Sequence, residues 1–280
     1  MKYASAYDFR RALGDRLSRQ AAQQETNVNV LKKRLVFERF LARLYAKEER
    51  WVLKGGYALE LRLRDKARTT LDIDLGVPLP PIDDLLDNLQ RAAEVDLDDY
   101  FEFQVRQEDQ LGGPPEGGFR FHIDVRLGGT LFDSFKLDVS QGDPVVTDTE
   151  WIDGQVDLGF AGVRTPRFAV LPIAAHFADK LHAYTRPRQT KTRVKDFADM
   201  LLLLDLELAP TPELRTLIEL TFALYCTHEL PESLPRPPEE WENSYTVMAQ
   251  DLHISQQTLN AAYERLQSVY SNLKDAKIEL

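Results

Sequence analysis

The sequence predicts an α+β fold in which a β-sheet core lies between N-terminal helices and a C-terminal helical half. Apolar residues recur at helical spacing before residue 50, and alternate with polar residues in several segments up to about residue 140. Helical spacing returns after a pair of prolines beyond residue 165. The expected domains are therefore 1–50, 51–165 and 166–280.

The composition restricts the class of protein. The single cysteine, Cys226, excludes an internal disulfide framework and a zinc site built from cysteines. The chain contains no signal-peptide pattern and no apolar run of about 18 residues, so we expect a cytoplasmic protein. The net charge of −10 argues against a general nucleic-acid coat, but it is compatible with an enzyme that carries local basic surface.

Two helices are predicted at the N-terminus. The first is polar and amphipathic and covers residues 6–24. Asn27 is a suitable N-cap for the second, which extends to about Lys47. The second helix has four apolar residues on one face: Phe37, Phe40, Leu41 and Leu44. This face is expected to pack on the core.

The chain is organised around residues 53–77, which begin with a glycine turn. Gly55-Gly56 follows a short apolar run and suits a turn where the backbone comes close to another group. Apolar spacing then predicts a helix over residues 57–63, followed by a basic loop over residues 64–68. The backbone N–H groups at the start of such a helix can receive phosphate oxygens.

A strand follows the basic loop and carries two aspartates on one face. Leu71, Ile73 and Leu75 are expected on the buried face, with Asp72 and Asp74 on the other. Mg²⁺ binds one or two protein carboxylates and fills its other positions with water and substrate phosphate. The stretch therefore predicts a metal site and a triphosphate site side by side.

The sheet is expected to continue beyond a short helix over residues 83–93. Strands are predicted at residues 101–105, 119–127 and 131–140, the last two joined by a Gly-Gly turn. Lys136 and Asp138 lie on the polar face of the final strand.

The last third of the chain is predicted to be helical. Helices are expected at residues 173–184, 194–206, 212–227 and 255–275, with Ser255 as the N-cap of the last. The proline-rich interval 229–240 is expected to be a surface linker. A cluster of cations lies around the loop between the first two helices: Arg186, Arg188, Lys191, Arg193 and Lys195.

Two groups of residues resemble the AbiEii toxin family, which comprises nucleotidyltransferases of bacterial toxin–antitoxin and abortive-infection systems. The first is Gly55-Gly56-x-Ala58-Leu59 followed by Arg68-x-Thr70-x-Asp72-Ile73-Asp74. The second is Lys180-Leu181-His182-Ala183 followed by Arg193-x-Lys195-Asp196. The resemblance implies the mixed β-sheet core of the DNA polymerase β-like nucleotidyltransferase superfamily.

The resemblance implies transfer of a nucleoside monophosphate from an NTP to an acceptor hydroxyl. Asp72 and Asp74 would then hold Mg²⁺ or Mn²⁺, together with a third acid on a later strand. Asp138 is the favoured third acid and Asp124 its rival. The implied NTP-binding residues are Lys54, Gly55, Gly56, Arg68, Thr70 and Lys180.

Asp196 is implied as a further catalytic residue beside Lys180, with Asp199 as its rival on the same helix. The acceptor implied by the family is the 3′ end of transfer RNA, whose modification blocks translation, and a cognate antitoxin gene product is the implied partner. A small molecule such as an aminoglycoside, or a protein side chain, is the alternative acceptor. A catalytically silent binding module is the third possibility.

Overall fold

A computed structural model describes residues 1–47, 50–78, 82–111, 118–141, 149–187 and 193–275. Within these ranges, no helix combines the length and the apolar character that crossing a membrane requires.

Two N-terminal helices cover one face of the sheet, as predicted. Helix α1 is Ala6–Gln23 and α2 is Val28–Lys47. The Asn27 side chain accepts a hydrogen bond from the Asn29 backbone N–H at 2.8 Å, so Asn27 caps α2 as expected. The predicted apolar face of α2 is buried in the main core, where Phe37 and Phe40 both contact Phe135 of the sheet edge-to-face.

The described residues form a seven-stranded mixed sheet, which confirms the predicted fold class. The strands are β1 Val52–Lys54, β2 Asp72–Val77, β3 Phe101–Leu111, β4 Gly118–Leu127, β5 Thr130–Gln141, β6 Glu150–Asp153 and β7 Arg167–Val170. Their order is β3-β4-β5-β2-β1-β7-β6, with β2/β5 and β1/β7 parallel and the other pairs antiparallel.

Two further helices belong to the sheet half of the molecule. Helix α3, Gly55–Leu63, begins at the first glycine of the pair and follows directly on β1. Helix α4, Leu85–Ala93, is capped by the Asp84 side chain, which accepts from the Asp87 N–H at 2.9 Å. Because β1 and β2 flank α3 in sequence and pair antiparallel, the glycine turn lies beside the aspartates of β2.

The C-terminal half is helical and has a second apolar core. Its helices are α5 Ile173–Thr185, α6 Val194–Leu204, α7 Pro212–Tyr225, α8 Glu242–Asp251 and α9 Leu259–Asp275. Leu59 of α3 is part of this second core, so α3 joins the two halves.

Three expectations for this half are corrected. Ser255 is not a helix N-cap, because α9 begins at Leu259 and the Thr258 hydroxyl accepts from the Ala261 N–H at 3.3 Å. Helix α8 was not predicted, since its buried side chains are only Tyr245 and Ala249. The interval 229–240 is more than a surface linker: it buries Leu234, whose carbonyl accepts from the Tyr263 hydroxyl at 3.1 Å.

Candidate active site

A cleft of about 660 Å³ runs between the sheet and the C-terminal helices. Its walls come from the glycine turn, from β2 and β5, and from α5, the start of α6 and the end of α7. The volume lies within the range typical of small-molecule sites. All ten residues predicted to bind or act on the nucleotide line it: Lys54, Gly55, Gly56, Arg68, Thr70, Asp72, Asp74, Asp138, Lys180 and Asp196.

Gly55 is required by the packing at the bottom of this cleft. Its φ is +64°, in the left-handed region, and a Cβ at this position would collide with the Asp74 carboxylate. Gly56 is similarly restricted, because a Cβ there would lie 2.8 Å from the Thr70 hydroxyl. The glycine pair therefore allows the backbone turn to lie directly against the aspartate strand.

Strand register places four charged residues in one line across the sheet. Lys54 pairs with Asp74 between β1 and β2, Asp74 with Asp138 between β2 and β5, and Asp138 with Arg120 between β5 and β4. Side chains at paired positions share a sheet face, so two carboxylates lie between two cations. Asp138 accepts two hydrogen bonds from the Arg120 guanidinium, at 2.7 and 2.6 Å.

Asp124, the rival for the third acid, lies elsewhere. It pairs in register with Ser134 of β5 and does not line the cleft. Its carboxylate accepts from Arg106 at 2.7 Å and contacts His122 at 3.0 Å. The geometry therefore favours Asp138 over Asp124 as the acid beside Asp74.

The carboxylates of β2 fit a hard divalent cation. Burial raises the pKa of Asp74 to about 6, and the negative charges of Asp72 and Asp138 contribute to the rise. The Thr70 hydroxyl donates to Asp72 Oδ1 at 2.7 Å and so orients that carboxylate. A bound Mg²⁺ or Mn²⁺ would relieve the repulsion between these oxygens, which are the ligand type that both ions prefer.

Among the described side chains, no three His, Cys, Asp or Glu residues are grouped closely enough to form a metal site by themselves. Asp72 and Asp74 would therefore supply only part of a coordination shell. This agrees with Mg²⁺ sites in which substrate phosphates and water provide the remaining oxygens.

A buried ion network joins the sheet half to the helical half. Asp199, which is fully buried, accepts from Arg68 at 3.1 and 3.0 Å and pairs with Lys180 at 2.7 Å. Lys180 also donates to Asp196 at 3.1 Å, and Arg193 donates to Asp196 at 3.0 Å. Burial would raise the pKa of Asp199, but the charges of Lys180 and Arg68 outweigh it and lower the pKa overall.

Both acids considered on α6 therefore contact Lys180, and Asp199 is the central member of the network. Lys180 itself is 8% exposed and lines the cleft. Three of the five cations predicted around the loop, Arg186, Arg193 and Lys195, also line the cleft. The other two, Arg188 and Lys191, lie outside the described residues.

One side chain at the mouth of the cleft corrects the sequence analysis. Leu71, expected on the buried face of the aspartate strand, is 71% exposed and lines the cleft. The strand begins only at Asp72, so the alternation of buried and exposed side chains does not extend back to Leu71. Ile73 and Leu75 are fully buried, as predicted.

Sequence reasoning missed several residues of the helical wall. His176, Asp179 and Ala183 line the cleft at successive spacings of three and four residues, so they share one face of α5 with Lys180. The position of Lys180 alone could have identified this face. Tyr225 and Thr227, at and beyond the end of α7, had no local signal, because only tertiary packing brings them to α5. The Tyr225 ring stacks on His182 with centroids 4.6 Å apart.

The family model described as nucleotidyl transferase AbiEii toxin, type IV toxin–antitoxin system, matches residues 39–270 of this chain. This match confirms the resemblance seen in the glycine and aspartate motifs. No curated protein sequence matches significantly.

The solved structures that match the chain include the following two. One is MenT4, a nucleotidyltransferase toxin from Mycobacterium tuberculosis H37Rv, with 18% identity and a TM-score of 0.61. The similarity covers 94% of this chain and 90% of MenT4 and shows a shared fold. The other is ANT(2″)-Ia in complex with adenylyl-2″-tobramycin, with 17% identity over 70% of this chain and 98% of that one. Its TM-score of 0.39 is too low to indicate a shared architecture.

Proposed function

Because the chain belongs to the AbiEii family of nucleotidyltransferase toxins, we propose that it transfers a nucleoside monophosphate from an NTP to the 3′ end of transfer RNA and so blocks translation. The observation that best supports transfer is the line Lys54–Asp74–Asp138–Arg120 beside the Gly55-Gly56 turn. It places candidate metal-binding carboxylates next to backbone N–H groups that can receive phosphate oxygens.

In the proposed reaction, the acceptor hydroxyl oxygen forms a bond to the α-phosphorus of the NTP. The bond from that phosphorus to the bridging oxygen of the β-phosphate breaks, and pyrophosphate leaves. A divalent cation held by Asp72 and Asp74 would neutralise charge that develops on the triphosphate. The chain's own contribution is mainly positioning and electrostatic stabilisation.

The positions of the candidate site residues in the cleft indicate a role for each of them. Lys54 and Lys180 neutralise phosphate charge, and Gly55 and Gly56 bring backbone N–H groups close to it. Thr70 holds Asp72 in its orientation. Asp196 and Asp199 hold Lys180 at the wall of the cleft, and Arg68 in turn holds Asp199.

Asp138 is proposed to accept the proton of the hydroxyl or to complete the metal site. Each carboxylate oxygen has two lone pairs, and the Arg120 contacts use one on each oxygen. The remaining lone pairs are sufficient for either role.

The proposal is tested by incubating the full chain with each NTP labelled at the α-phosphate, in the presence of Mg²⁺ and total RNA. We expect label in RNA of transfer-RNA size, loss of labelling on chelation of the metal, and arrest of a cell-free translation reaction. Parallel mixtures contain total protein or an aminoglycoside in place of RNA, and label found there but not in RNA would identify that molecule as the acceptor. Absence of label in every mixture would identify a silent binding module.

Arg186, Arg193 and Lys195 line the cleft, and these cations are expected to bind the RNA backbone and guide it into the site. Replacing Arg186 and Lys195 with serine should raise KM for RNA and make it less sensitive to salt, because cations that bind phosphates release counterions. The slope of log affinity against log salt should fall by about 0.7 for each phosphate that the variant no longer neutralises. NTP binding should be unchanged. The measurement is KM for RNA at several salt concentrations.

The matched control replaces Arg91 and Arg167 with serine, since both are well exposed and neither lines the cleft. If the slope of log affinity for RNA against log salt were equal in the cleft variant, the control variant and the unmodified protein, Arg186 and Lys195 would not bind the RNA backbone.

A further inference from the structure

His176 is a buried histidine of α5 that lines the cleft. It is 1% exposed, and neither ring nitrogen has a hydrogen-bond partner among the described residues. A neutral imidazole offers one donor and one acceptor. Leaving both unpaired away from water is unfavourable, and buried polar groups of this kind are rare in folded proteins. Because His176 also lines the cleft, a bound molecule could supply the missing partner.

The position of His176 is next to the candidate triphosphate site. It precedes Lys180 by one helical turn on the cleft face of α5. The segment leading into α5 is tied to β1, because the Leu171 N–H donates to the Leu53 carbonyl at 2.9 Å. Leu53 directly precedes Lys54 and the glycine turn, so His176 lies where α5 approaches that turn.

The charge state of His176 defines what it can bind. Burial, followed by the positive charge of Lys180, lowers the pKa of His176 to about 3; the negative charge of Asp199 opposes this shift, and the charges of Arg62 and Lys54 add to it. The ring is therefore neutral at physiological pH and can donate one hydrogen bond without carrying charge. Lys54 and Lys180 both lie near enough to lower the pKa of His176, so an anionic oxygen bound beside these two cations would be an acceptor for the ring N–H.

We propose that His176 donates a hydrogen bond to a phosphate oxygen of the bound NTP and is thus an additional nucleotide-binding residue. The proposal rests on the nucleotidyltransferase function above and adds a residue to its triphosphate site. It accounts for the burial of an imidazole to which the part of the chain that the structure describes offers no hydrogen-bond partner.

The first test is NTP binding measured by calorimetry with Mg²⁺ and no acceptor. His176→Phe should weaken binding about 10- to 100-fold, the range expected for a hydrogen bond to a charged group. Its thermal stability should be unchanged or higher, because the replacement removes unpaired polar atoms. His122→Phe, at a half-buried histidine outside the cleft, is the control and should bind NTP normally.

Two further variants keep the test decisive if His176→Phe does not fold. The amide nitrogen of His176→Gln can replace a donor at Nε2, and that of His176→Asn a donor at Nδ1. We expect one of them to restore binding to within a few-fold and the other not to. The ¹⁵N signals of the His176 ring in the unmodified protein should shift on addition of NTP with Mg²⁺ but not with Mg²⁺ alone.

The outcomes separate this proposal from the proposed function. If the unmodified protein binds NTP, while the folded variants bind it equally well and the ring signals do not shift, the proposal for His176 is overturned and the function stands. If the unmodified protein does not bind NTP, the proposed function itself fails. Equal loss of binding in the Phe, Gln and Asn variants, together with lower melting temperatures, would make His176 a packing residue.

Discussion

Asp74→Asn should reduce nucleotidyl transfer by roughly 10³-fold, which corresponds to about 4 kcal/mol of lost transition-state stabilisation. The reason is geometric: Asp74 lies between Lys54 and Asp138 in the line of charges, directly against the Gly55 turn. An amide has nearly the same shape as the carboxylate but no negative charge to hold a divalent cation. The measurement is transfer of α-labelled NMP under saturating Mg²⁺.

The same substitution should make the metal-free protein more stable near neutral pH. The pKa of Asp74 is about 6, above its ordinary value of 3.8, so the folded state binds more protons between these values than the unfolded state does. This group's contribution to the free energy of unfolding therefore falls as pH rises from about 4 to 6. Asn does not ionise and so removes this loss; we expect the free energy of unfolding to be about 3 kcal/mol higher at pH 7 and unchanged at pH 4.

The raised pKa also predicts the pH dependence of the unmodified enzyme. As pH falls through about 6, Asp74 becomes protonated and a proton competes with the metal. The Mg²⁺ concentration needed for half-maximal transfer should therefore increase below pH 6.

The control for Asp74→Asn is Asp124→Asn, because Asp124 is a half-buried acid outside the cleft. This control variant should transfer normally. Normal transfer by Asp74→Asn would refute the assignment of the metal site.

The sequence predicted those parts of the fold and site that depend on local patterns. The strand alternation around Asp72 and Asp74 identified β2, and the glycine pair indicated a close backbone approach, which the contact with Asp74 explains. Strands β1, β6 and β7 were missed because they contain only three or four residues, too few to show alternation. Their positions follow from pairing with longer strands, which is tertiary information.

The ion network shows the same limit at the level of side chains. The residues around Lys180 could be read as functional, but the sequence did not reveal which acid on α6 would meet both Lys180 and Arg68. Asp196 and Asp199 are three residues apart and lie on the same helical face, so both reach Lys180. Only Asp199 also meets Arg68, which arrives from a loop more than 100 residues away.

Asp199→Ala should lower the free energy of unfolding by about 3–5 kcal/mol, because it leaves two cations without their shared buried partner. Arg68 donates two hydrogen bonds to this carboxylate and Lys180 lies 2.7 Å from it. Asp196→Ala is the matched control on the same helix. It should cost only about 1–2 kcal/mol, because Lys180 keeps Asp199 and Arg193 is partly exposed to solvent.

A second substitution tests whether the loss arises from unpaired charge. Arg68→Met in the Asp199→Ala background should recover part of the lost stability, because it removes the guanidinium whose buried partner is lost, whereas Lys180 keeps Asp196. In the unmodified background, Arg68→Met should destabilise the protein. The measurement is chemical denaturation of the four proteins of this double-mutant cycle. Two results would contradict this view of the network. Asp199→Ala could be no less stable than Asp196→Ala, or Arg68→Met could lower the free energy of unfolding equally in both backgrounds. Either result would mean that Asp199 is not the central member of the network that holds Lys180 in the cleft.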